Sequence, residues 1–240
     1  MIPPAALYAA IDGTWPAARL TRSGAWTIRD GQGGGKRVSA ATANGATTDK
    51  DIAQAEEAMR ALGQTPLFMI RDVDAALDAA LDARGYTVVD PTNGYAIPTS
   101  ALTDTPIPRV TAFAIWEPLA IMAEIWAKGG IGPARLNVMA RAQTKTAILA
   151  RWNEKPAGTA FVAIADGIAM VHAVEVLTHQ RRQGVAQWIM RRAAFWAAEN
   201  GADSLAVLTT ASNGPANALY QQLGFTRVCG YHYRTAPETP

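Results

Sequence analysis

The sequence predicts an α/β fold in which a mixed, largely antiparallel, twisted sheet has helices along its faces. Three observations lead to this prediction. Two apolar runs between residues 157 and 177 meet at the dipeptide Asp166-Gly167, which favours a two-residue hairpin turn. From Val185 onward, apolar residues recur every three or four positions, which is the period of a helix. A short apolar run at 204–210 then indicates a further strand.

The composition is that of a compact, folded protein. The 240 residues are 49% hydrophobic and 18% charged, which suits two domains or one large domain. The formal net charge of +2 is too small to indicate a dedicated nucleic-acid or membrane binder. We therefore expect no nucleic-acid and no membrane partner, and we expect a monomer or a homodimer.

The cysteine content and the apolar segments indicate a cytoplasmic protein. Cys229 is the only cysteine, which excludes an intramolecular disulfide and a multi-cysteine metal cluster and fits a reducing compartment. No metal site is predicted. The N-terminal residues lack the basic region of a signal peptide, and Glu117, Pro118 and Glu124 interrupt the most apolar window, 110–127.

The C-terminal half begins with three predicted strands and a helix. The apolar runs place antiparallel strands at about 145–153, 157–165 and 168–177. The helix that starts at Val185 ends at Asn200-Gly201, because glycine readily takes the left-handed conformation of a helix C-terminus.

A second helix and a last strand complete this half. After the strand at 204–210, Pro215 suits the first turn of a helix, and Gly224 closes that helix. Residues 225–235 read as the last strand or two. The predicted order from residue 145 is therefore β-β-β-α-β-α-β.

The first hundred residues show a similar succession. A strand is predicted at 36–43, a helix at 51–63, a strand at 65–70, a helix at 73–85 and a strand at 86–89. This β-α-β-α-β order matches the end of the C-terminal half.

The glycines that end the helices support an internal duplication. Gly63 and Gly85 are 22 residues apart, and Gly201 and Gly224 are 23 residues apart. We interpret the chain as two copies, the first of them degenerate. The predicted domains are residues 1–100 and 108–240, with a linker at 99–108. The alternative is that shared packing rules gave two α/β segments the same pattern.

The turn before the helix at Val185 predicts an anion-binding site. Its sequence is Arg181-Arg182-Gln183-Gly184-Val185-Ala186. The first N–H groups of a helix lack internal partners and favour negative charge. Glycine allows a ligand to approach the backbone, and arginine forms charge-assisted hydrogen bonds with phosphate. We interpret Arg191 and Arg192, further along the helix, as a solvated face.

These residues resemble the GNAT superfamily of acetyl-CoA-dependent N-acetyltransferases. The resemblance rests on the R/Q-x-x-G-x-G/A pattern at Arg181–Ala186, on Asn213, and on the run Ala216-Asn217-Ala218-Leu219-Tyr220-Gln221-Gln222-Leu223-Gly224-Phe225. It is specific over about 145–234 and plausible from 108. The first hundred residues resemble the degraded first copy of tandem GNAT proteins.

The resemblance implies a role for each matching residue. Tyr220 would be the general acid that protonates the CoA thiolate, and Asn213 would bind the pantetheine or adenosine side of acetyl-CoA. Backbone groups at the end of the fourth strand would bind the pantetheine arm. The cofactor-binding residues implied in this way are Val174, Glu175, Val176, Arg181, Arg182, Gln183, Gly184, Val185, Ala186, Gln187 and Asn213.

The implied function is transfer of acetyl from acetyl-CoA to a primary amine by direct attack in a ternary complex. The acceptor stays open between a small molecule, an amino acid and a peptide or protein amine. The amine must lose a proton, because an alkylamine has a pKa of about 10. Several GNAT enzymes use a Glu on the fifth strand, but Leu208 stands there. Glu175 and His172 are the candidate bases.

Two other functions stay open. A non-catalytic acyl-CoA-binding sensor or assembly protein would keep the cofactor site and lack the base. Nucleic-acid binding through the arginines is a weaker possibility, which predicts affinity that falls steeply with salt.

Other segments receive structural interpretations. The glycine-rich run at 31–36 lacks the spacing of a phosphate loop and is interpreted as a flexible hairpin connection. The segment 118–144 is expected to supply acceptor specificity. In the first copy, Leu81 stands opposite Tyr220, and the turn at 44–48 lacks the arginines. That copy should therefore form a wall of the acceptor pocket or a pseudo-dimer interface and should not bind CoA.

Overall fold

The computed structural model of the chain describes residues 2–237. Its α-helices are α1 (Pro4–Thr14), α2 (Asp49–Ala61), α3 (Ala75–Ala83), α4 (Ala120–Lys128), α5 (Pro133–Arg141), α6 (Val185–Glu199) and α7 (Gly214–Gln222). Its strands are β1 (Arg19–Ser23), β2 (Trp26–Asp30), β3 (Thr42–Ala43), β4 (Leu67–Arg71), β5 (Thr87–Pro98), β6 (Ala112–Ile115), β7 (Thr144–Trp152), β8 (Lys155–Ala165), β9 (Ile168–Val176), β10 (Ser204–Thr210) and β11 (Thr226–Thr235).

Most strands of the described residues form one eight-stranded sheet, in the order β4-β11-β5-β10-β9-β8-β7-β6. Its neighbours are antiparallel except for the parallel pair β9 and β10. The strands β1, β2 and β3 form a small separate sheet. These findings confirm the predicted fold class. Because β5 lies between β10 and β11, the large sheet is continuous across the predicted boundary near residue 100.

The elements of the C-terminal half are confirmed to within a few residues. β8 and β9 meet at Asp166 and Gly167, whose φ angles of 49° and 75° are those of the expected tight turn. Gly201 and Gly224 have φ angles of 81° and 86° and follow the ends of α6 and α7. The hairpin dipeptide and the helix-ending glycines therefore mark true boundaries.

The predicted strand at 36–43 is wrong. Residues Lys36–Val38 form a 3₁₀ turn, and β3 covers only Thr42–Ala43. The N–H of Val38 donates to the Gly35 carbonyl at 3.2 Å, and the N–H of Ser39 donates to the Lys36 carbonyl at 3.1 Å. These local hydrogen bonds bend the chain and bring Arg37 toward β9.

The expected linker at 99–108 is not a spacer. Residues Thr99–Leu102 form a 3₁₀ turn, and the Leu102 side chain is buried in the same core as α6. Arg191 on α6 donates to the Leu102 carbonyl at 3.2 Å and forms an ion pair with Asp104. The interpretation of Arg191 as part of a solvated face is therefore wrong, because this side chain fastens the segment to α6.

Each face of the large sheet is covered by helices. On one face, α6 packs Ile189, Met190 and Ala193 against buried residues of β7 to β10. On the other face, α1, α4 and α5 pack against the same strands. Replacement of the fully buried Ile189 by alanine would cost about 2–5 kcal/mol. No helix in the described residues is long and apolar enough to cross a bilayer.

The sheet opens between β9 and β10. The two strands pair only from Ser204 with Ile168 to Val207 with Val171. Beyond this point β9 contains a bulge, where Ala173 has a φ angle of 52°. The ends of two neighbouring strands therefore diverge and leave a cleft in the middle of the sheet.

Candidate active site

A cleft of about 1050 Å³ occupies the opening between β9 and β10. The end of β9, the end of β10 and the first turns of α6 and α7 form its walls. All the predicted site residues except Gln183 line it: Val174, Glu175, Val176, Arg181, Arg182, Gly184, Val185, Ala186, Gln187, Asn213 and Tyr220. Gln183 lies in the same turn as an exposed residue and does not contribute to the cleft wall.

The N-terminus of α6 is open and basic. Gly184 caps it in the left-handed conformation, with a φ angle of 75° and no side-chain cap. The first hydrogen bond of the helix runs from the Trp188 N–H to the Gly184 carbonyl at 3.2 Å. Among the described residues, none accepts a hydrogen bond from the N–H groups of 185–187. This end of α6 can therefore bind an anion.

The two arginines before Gly184 have different local roles. Arg181 donates from Nε to the Val176 carbonyl at 3.2 Å, which joins the turn to the end of β9. Arg182 has a φ angle of 62°, so the backbone turns sharply just before the helix. Both side chains are exposed at the mouth of the cleft, where they add positive charge.

The β9 edge that faces the cleft has no neighbouring strand in the described part of the chain, although the Trp126 indole donates to the Ala173 carbonyl at 2.8 Å and Arg181 donates to the Val176 carbonyl. Residues 172–176 have no partner on β10 among the described residues, because the two strands have already diverged. An extended ligand can therefore form strand-like hydrogen bonds along this edge.

Tyr220 lines the cleft from a largely buried position. Its ring packs against Phe225 and Tyr95, with ring centroids 5.6 and 6.1 Å away. Burial raises the pKa of Tyr220 to about 12. The hydroxyl is therefore protonated at neutral pH and can act as a proton donor.

Asn217 holds α7, and with it Tyr220, against the sheet. Its Oδ1 accepts hydrogen bonds from the Tyr95 hydroxyl at 2.9 Å and from Asn93 Nδ2 at 3.1 Å. Its Nδ2 donates to the Asn213 carbonyl at 2.7 Å and to the Thr210 carbonyl at 3.0 Å. Sequence reasoning assigned no role to Asn217, although it lies within the run that contains Tyr220.

Asn213 begins α7. Its Oδ1 accepts a hydrogen bond from the Ala216 N–H at 3.2 Å, which is the geometry of an N-cap. The residue also lines the cleft. Its predicted contact with the cofactor stays a prediction, while its capping role accounts for an asparagine at this position.

Glu175 is the one carboxylate among the described residues that line the cleft. It is half-buried against the end of α4, where a side chain in place of Gly129 would collide with its carboxylate. Burial raises the pKa of Glu175, and Arg181 and Arg135 partly oppose this effect. A carboxylate with a raised pKa is a better proton acceptor than an ordinary glutamate.

His172, the other candidate base, is fully engaged. Its Nε2 lies 3.0 Å from the Thr14 hydroxyl, which itself donates to the Ala10 carbonyl at 2.7 Å. Nε2 must therefore carry the proton, and Nδ1 accepts from Arg37 at 3.1 Å. Burial and then Arg37 lower the pKa of His172 well below its usual value. Of the two candidate bases, Glu175 has the raised pKa and His172 the lowered one, and the assignment of the base stays a prediction.

A second cavity, of about 240 Å³, adjoins the cleft at the β9 bulge. The two share Arg37, His172 and Ala173. The first hundred residues supply much of its wall, including the glycine-rich loop that the sequence suggested was only a flexible connection. Gly34 in this loop packs so closely against Val138 that a Cβ atom there would lie 2.5 Å from Val138 Cγ2.

Sequence reasoning missed the residues of the second cavity. They include Trp15, Arg37, Asp90, Arg135, Tyr231 and Tyr233, which lie far apart along the chain. Two weak signals were present. A basic pair follows the glycine run, and two tyrosines alternate on the last strand and so share one face.

Residues 115–225 match the family model described as "Acetyltransferase (GNAT) family". The chain carries a GNAT domain. This finding confirms the resemblance seen in the sequence, and it supports acyl transfer as the general class of reaction. No curated protein matches the sequence significantly.

Solved structures with the same fold cover nearly the whole chain. A GCN5-related N-acetyltransferase from Kribbella flavida covers 100% of this chain and 98% of its own, with 20% identity and a TM-score of 0.70. A functionally unknown conserved protein from Staphylococcus epidermidis covers 92% of this chain and 95% of its own, with 13% identity and a TM-score of 0.68.

A tandem GNAT protein is also similar. This protein, from the clavulanic acid biosynthesis pathway, covers 84% of this chain and 76% of its own, with 14% identity and a TM-score of 0.61. At these identities the likeness concerns the fold. The degenerate first copy in the present chain therefore stays a prediction.

Proposed function

We propose that the protein transfers an acetyl group from acetyl-CoA to a primary amine by direct attack in a ternary complex. One observation carries the proposal: a single cleft joins the open, basic N-terminus of α6 to the free edge of β9 and to Tyr220. Acetyl-CoA has a diphosphate, an extended amide chain and a thiol leaving group. The helix N-terminus suits the first, the strand edge suits the second, and the tyrosine hydroxyl suits the third.

The residues of the cleft fit acetyl-CoA. The free N–H groups of 185–187, with Arg181 and Arg182 beside them, suit a diphosphate. The free edge of β9 suits the amides of pantetheine, which can pair with it as a strand does. The backbone N–H groups near the Ala173 bulge suit the negative charge that develops on the thioester oxygen.

The proposed reaction forms one bond and breaks one. The amine nitrogen attacks the carbonyl carbon of the thioester, a C–N bond forms, and the C–S bond breaks to release CoA. The amine gives one proton to the Glu175 carboxylate, directly or through water, and Tyr220 gives one proton to the departing thiolate. Both residues then exchange protons with water and return to their starting states.

A non-catalytic acyl-CoA binder is the second candidate function. Leu208 favours it, because this apolar residue lines the cleft where several GNAT enzymes have a glutamate. Glu175 favours turnover, because its carboxylate lines the same cleft from β9. The two functions differ in whether an amine triggers the release of thiol.

Nucleic-acid binding has less support. Arg191 pairs with Asp104, and Arg192 pairs with Glu199 at 3.2 Å. Two of the four arginines that were considered for this role are therefore already paired with carboxylates of the same chain.

Two measurements on the purified full-length protein test the proposal. Calorimetry should detect CoA binding, and acetyl-CoA with pooled primary amines should release thiol only when an amine is present. CoA binding without amine-dependent release would favour the non-catalytic binder. Absence of CoA binding would rule out both functions.

A further inference from the structure

The second cavity carries positive charge that its own residues do not neutralise. Lys36, Arg37 and Arg135 line it, and Asp90 is its carboxylate. Lys36 forms an ion pair with Asp90 at 2.8 Å. Among the described residues, the cavity wall therefore has no second carboxylate for the guanidinium groups of Arg37 and Arg135. His172 adds no charge, because its pKa lies well below the usual value. The cavity therefore suits an anionic ligand.

Arg37 is buried, and no carboxylate within residues 2–237 forms an ion pair with it. Its Nη1 group lies 3.1 Å from His172 Nδ1, and its guanidinium lies 5.9 Å from the Trp15 ring. Its Nε atom is buried with no hydrogen-bond partner among the described residues. A buried, incompletely bonded guanidinium is costly, and an anion that accepts from it removes part of that cost.

Burial opposes the charge on Arg37 and is not sufficient to remove it. Burial lowers the pKa of Arg37, whereas the neighbouring Tyr231 and Tyr233 raise it. The net result is a pKa above the usual value. The cavity thus presents a charged guanidinium at the point that it shares with the main cleft.

Arg135 adds a second guanidinium to the cavity wall. It lies on α5, and its guanidinium lies over Gly35, 3.5–3.6 Å from where a Cβ atom would be. Gly35 has a φ angle of 99°, which L side chains rarely adopt. Among the described residues, none forms an ion pair or a hydrogen bond with Arg135. The glycine-rich loop therefore makes room for a second guanidinium that is free to bind a ligand.

The size and position of the cavity favour a small acceptor. Its volume is about 240 Å³, and Trp15, Tyr231 and Tyr233 contribute aromatic walls. It meets the cleft at Ala173, close to the proposed thioester position. Positive surroundings lower the pKa of an amine and so favour the neutral form that can attack.

We propose that the acceptor is a small amine that also bears a carboxylate, such as an amino acid, and that Arg37 and Arg135 bind this carboxylate. The inference rests on the proposed acetyl transfer and names its substrate class. With the carboxylate at the guanidinium groups, the amine is left to face the thioester. A peptide N-terminus or a polyamine lacks the adjacent anion.

Matched acceptors test the inference. One series is alanine, alaninamide and ethylamine, and the other is phenylalanine, phenylalaninamide and phenethylamine, with kcat/KM expressed per neutral amine. Each amino acid should exceed its two analogues about ten- to a hundredfold, as expected for charge-assisted hydrogen bonds. Equal or higher values for the uncharged analogues would overturn the inference. A preference for the aminophosphonate analogue would overturn the assignment to a carboxylate.

A pair of variants locates the binding site. Arg135→Gln should raise the KM of the amino acid about ten- to a hundredfold and leave the affinity for CoA unchanged. Arg141→Gln is the matched control, because Arg141 ends the same helix, donates to Gln32 at 2.9 Å and lies outside the cavity. Equal effects of the two substitutions would contradict a specific role for Arg135.

Binding without turnover separates this inference from the proposed function. Calorimetry with N-acetylalanine and N-acetylphenylalanine, compared with their carboxamides, should show binding of the carboxylates alone. CoA binding and acetylation of amines with no carboxylate preference would overturn the inference and leave the proposed function intact. Failure to bind CoA would overturn both.

Discussion

The first turns of α2 and α6 show how similar helix starts acquire different chemistry. At α2, the Thr48 hydroxyl accepts from the Asp51 N–H at 3.3 Å, and the Asp51 carboxylate accepts from the Thr48 N–H at 2.8 Å. This capping box fills the helix end with groups of the chain itself. At α6, Gly184 provides no such group. A helix N-terminus becomes a ligand site only where the sequence leaves it open.

The N-terminal and C-terminal regions also differ in their second helices, α3 and α7, because only α7 presents a polar side chain to the cleft. Leu81 on α3 is fully buried in a hydrophobic core, whereas Tyr220 on α7 reaches the cleft. The helix-ending glycines nevertheless agree, with φ angles of 69° and 78° at Gly63 and Gly85. The scaffold of the first region is therefore similar, but its ligand-facing groups are absent.

The strand order of the sheet supports the duplication hypothesis. The sequence pattern pairs β4 with β10 and β5 with β11 as corresponding strands. When these partners are exchanged, the observed order β4-β11-β5-β10 becomes β10-β5-β11-β4, which is the same order read from the opposite end. Such a two-fold arrangement is expected if each copy contributes a strand to the other, and the duplication stays a prediction on this support.

The largest effect that separates the two regions is expected at Glu175. Glu175→Gln should lower kcat by about 10³-fold, because the carboxylate is the proposed general base. The control is Glu56→Gln on α2, which lies outside the cleft and loses the charge that pairs with Arg60 at 3.2 Å and with Arg84 at 3.7 Å. Steady-state kinetics checks both variants.

The pH dependence of kcat checks the same role. Burial raises the pKa of Glu175, so the base is protonated and inactive at low pH. Activity should rise as pH increases through this raised pKa and then level off. The rise should disappear in Glu175→Gln, and a rise that persists in the variant would assign the base to another group.

The next effect is expected at Tyr220. Tyr220→Phe should lower kcat by about 10²-fold with little change in CoA affinity, because the hydroxyl acts on the departing thiolate. Tyr86→Phe in the first region is the control, since its hydroxyl donates to Glu56 and lies outside the cleft. Equal loss of kcat and of CoA affinity in Tyr220→Phe would argue against a proton donor.

A smaller effect is expected at Gly184. Valine at a φ angle of 75° is strained by about 1–3 kcal/mol, and relief of this strain would turn the N–H groups away from a ligand. CoA affinity should fall about 10- to 100-fold, as measured by calorimetry. Gly201→Val is the matched control at the other end of α6, where φ is 81° and the space is open. Unchanged affinity in Gly184→Val would contradict the site.

The smallest effect is expected at α2. Thr48→Ala removes the hydroxyl of the capping box and should lower the free energy of unfolding by about 1 kcal/mol. Chemical denaturation measures this loss. CoA affinity should stay the same, and a change in it would mean that the first region also contacts the cofactor.

The residues that line the cleft could be singled out in the sequence because their signals are local. The turn at Asp166-Gly167, the glycine before α6 and the run that contains Tyr220 each act within a few residues, and each carries its own backbone geometry. The strand predicted at 36–43 was wrong because alternation in this short segment is weaker than the turn hydrogen bonds that follow Gly35.

The second cavity could not be predicted because it depends on distant segments. Trp15, Arg37, Arg135 and Tyr231 meet only after β11 pairs with β4 and β5 and the glycine-rich loop packs on α5. Periodicity and turn signals contain no information on contacts between residues that are distant in the sequence. The charge pattern of the cavity appears only in the folded chain.

Because β5 lies between β10 and β11, the N-terminal and C-terminal halves share one sheet. Each of these strands gives and receives backbone hydrogen bonds across the predicted boundary. A fragment that starts near residue 108 would lack β4 and β5 and would expose one edge of β10 and both edges of β11, which promotes aggregation. The intact chain should consequently melt in one step, and a stable, monomeric C-terminal fragment would be hard to obtain by truncation.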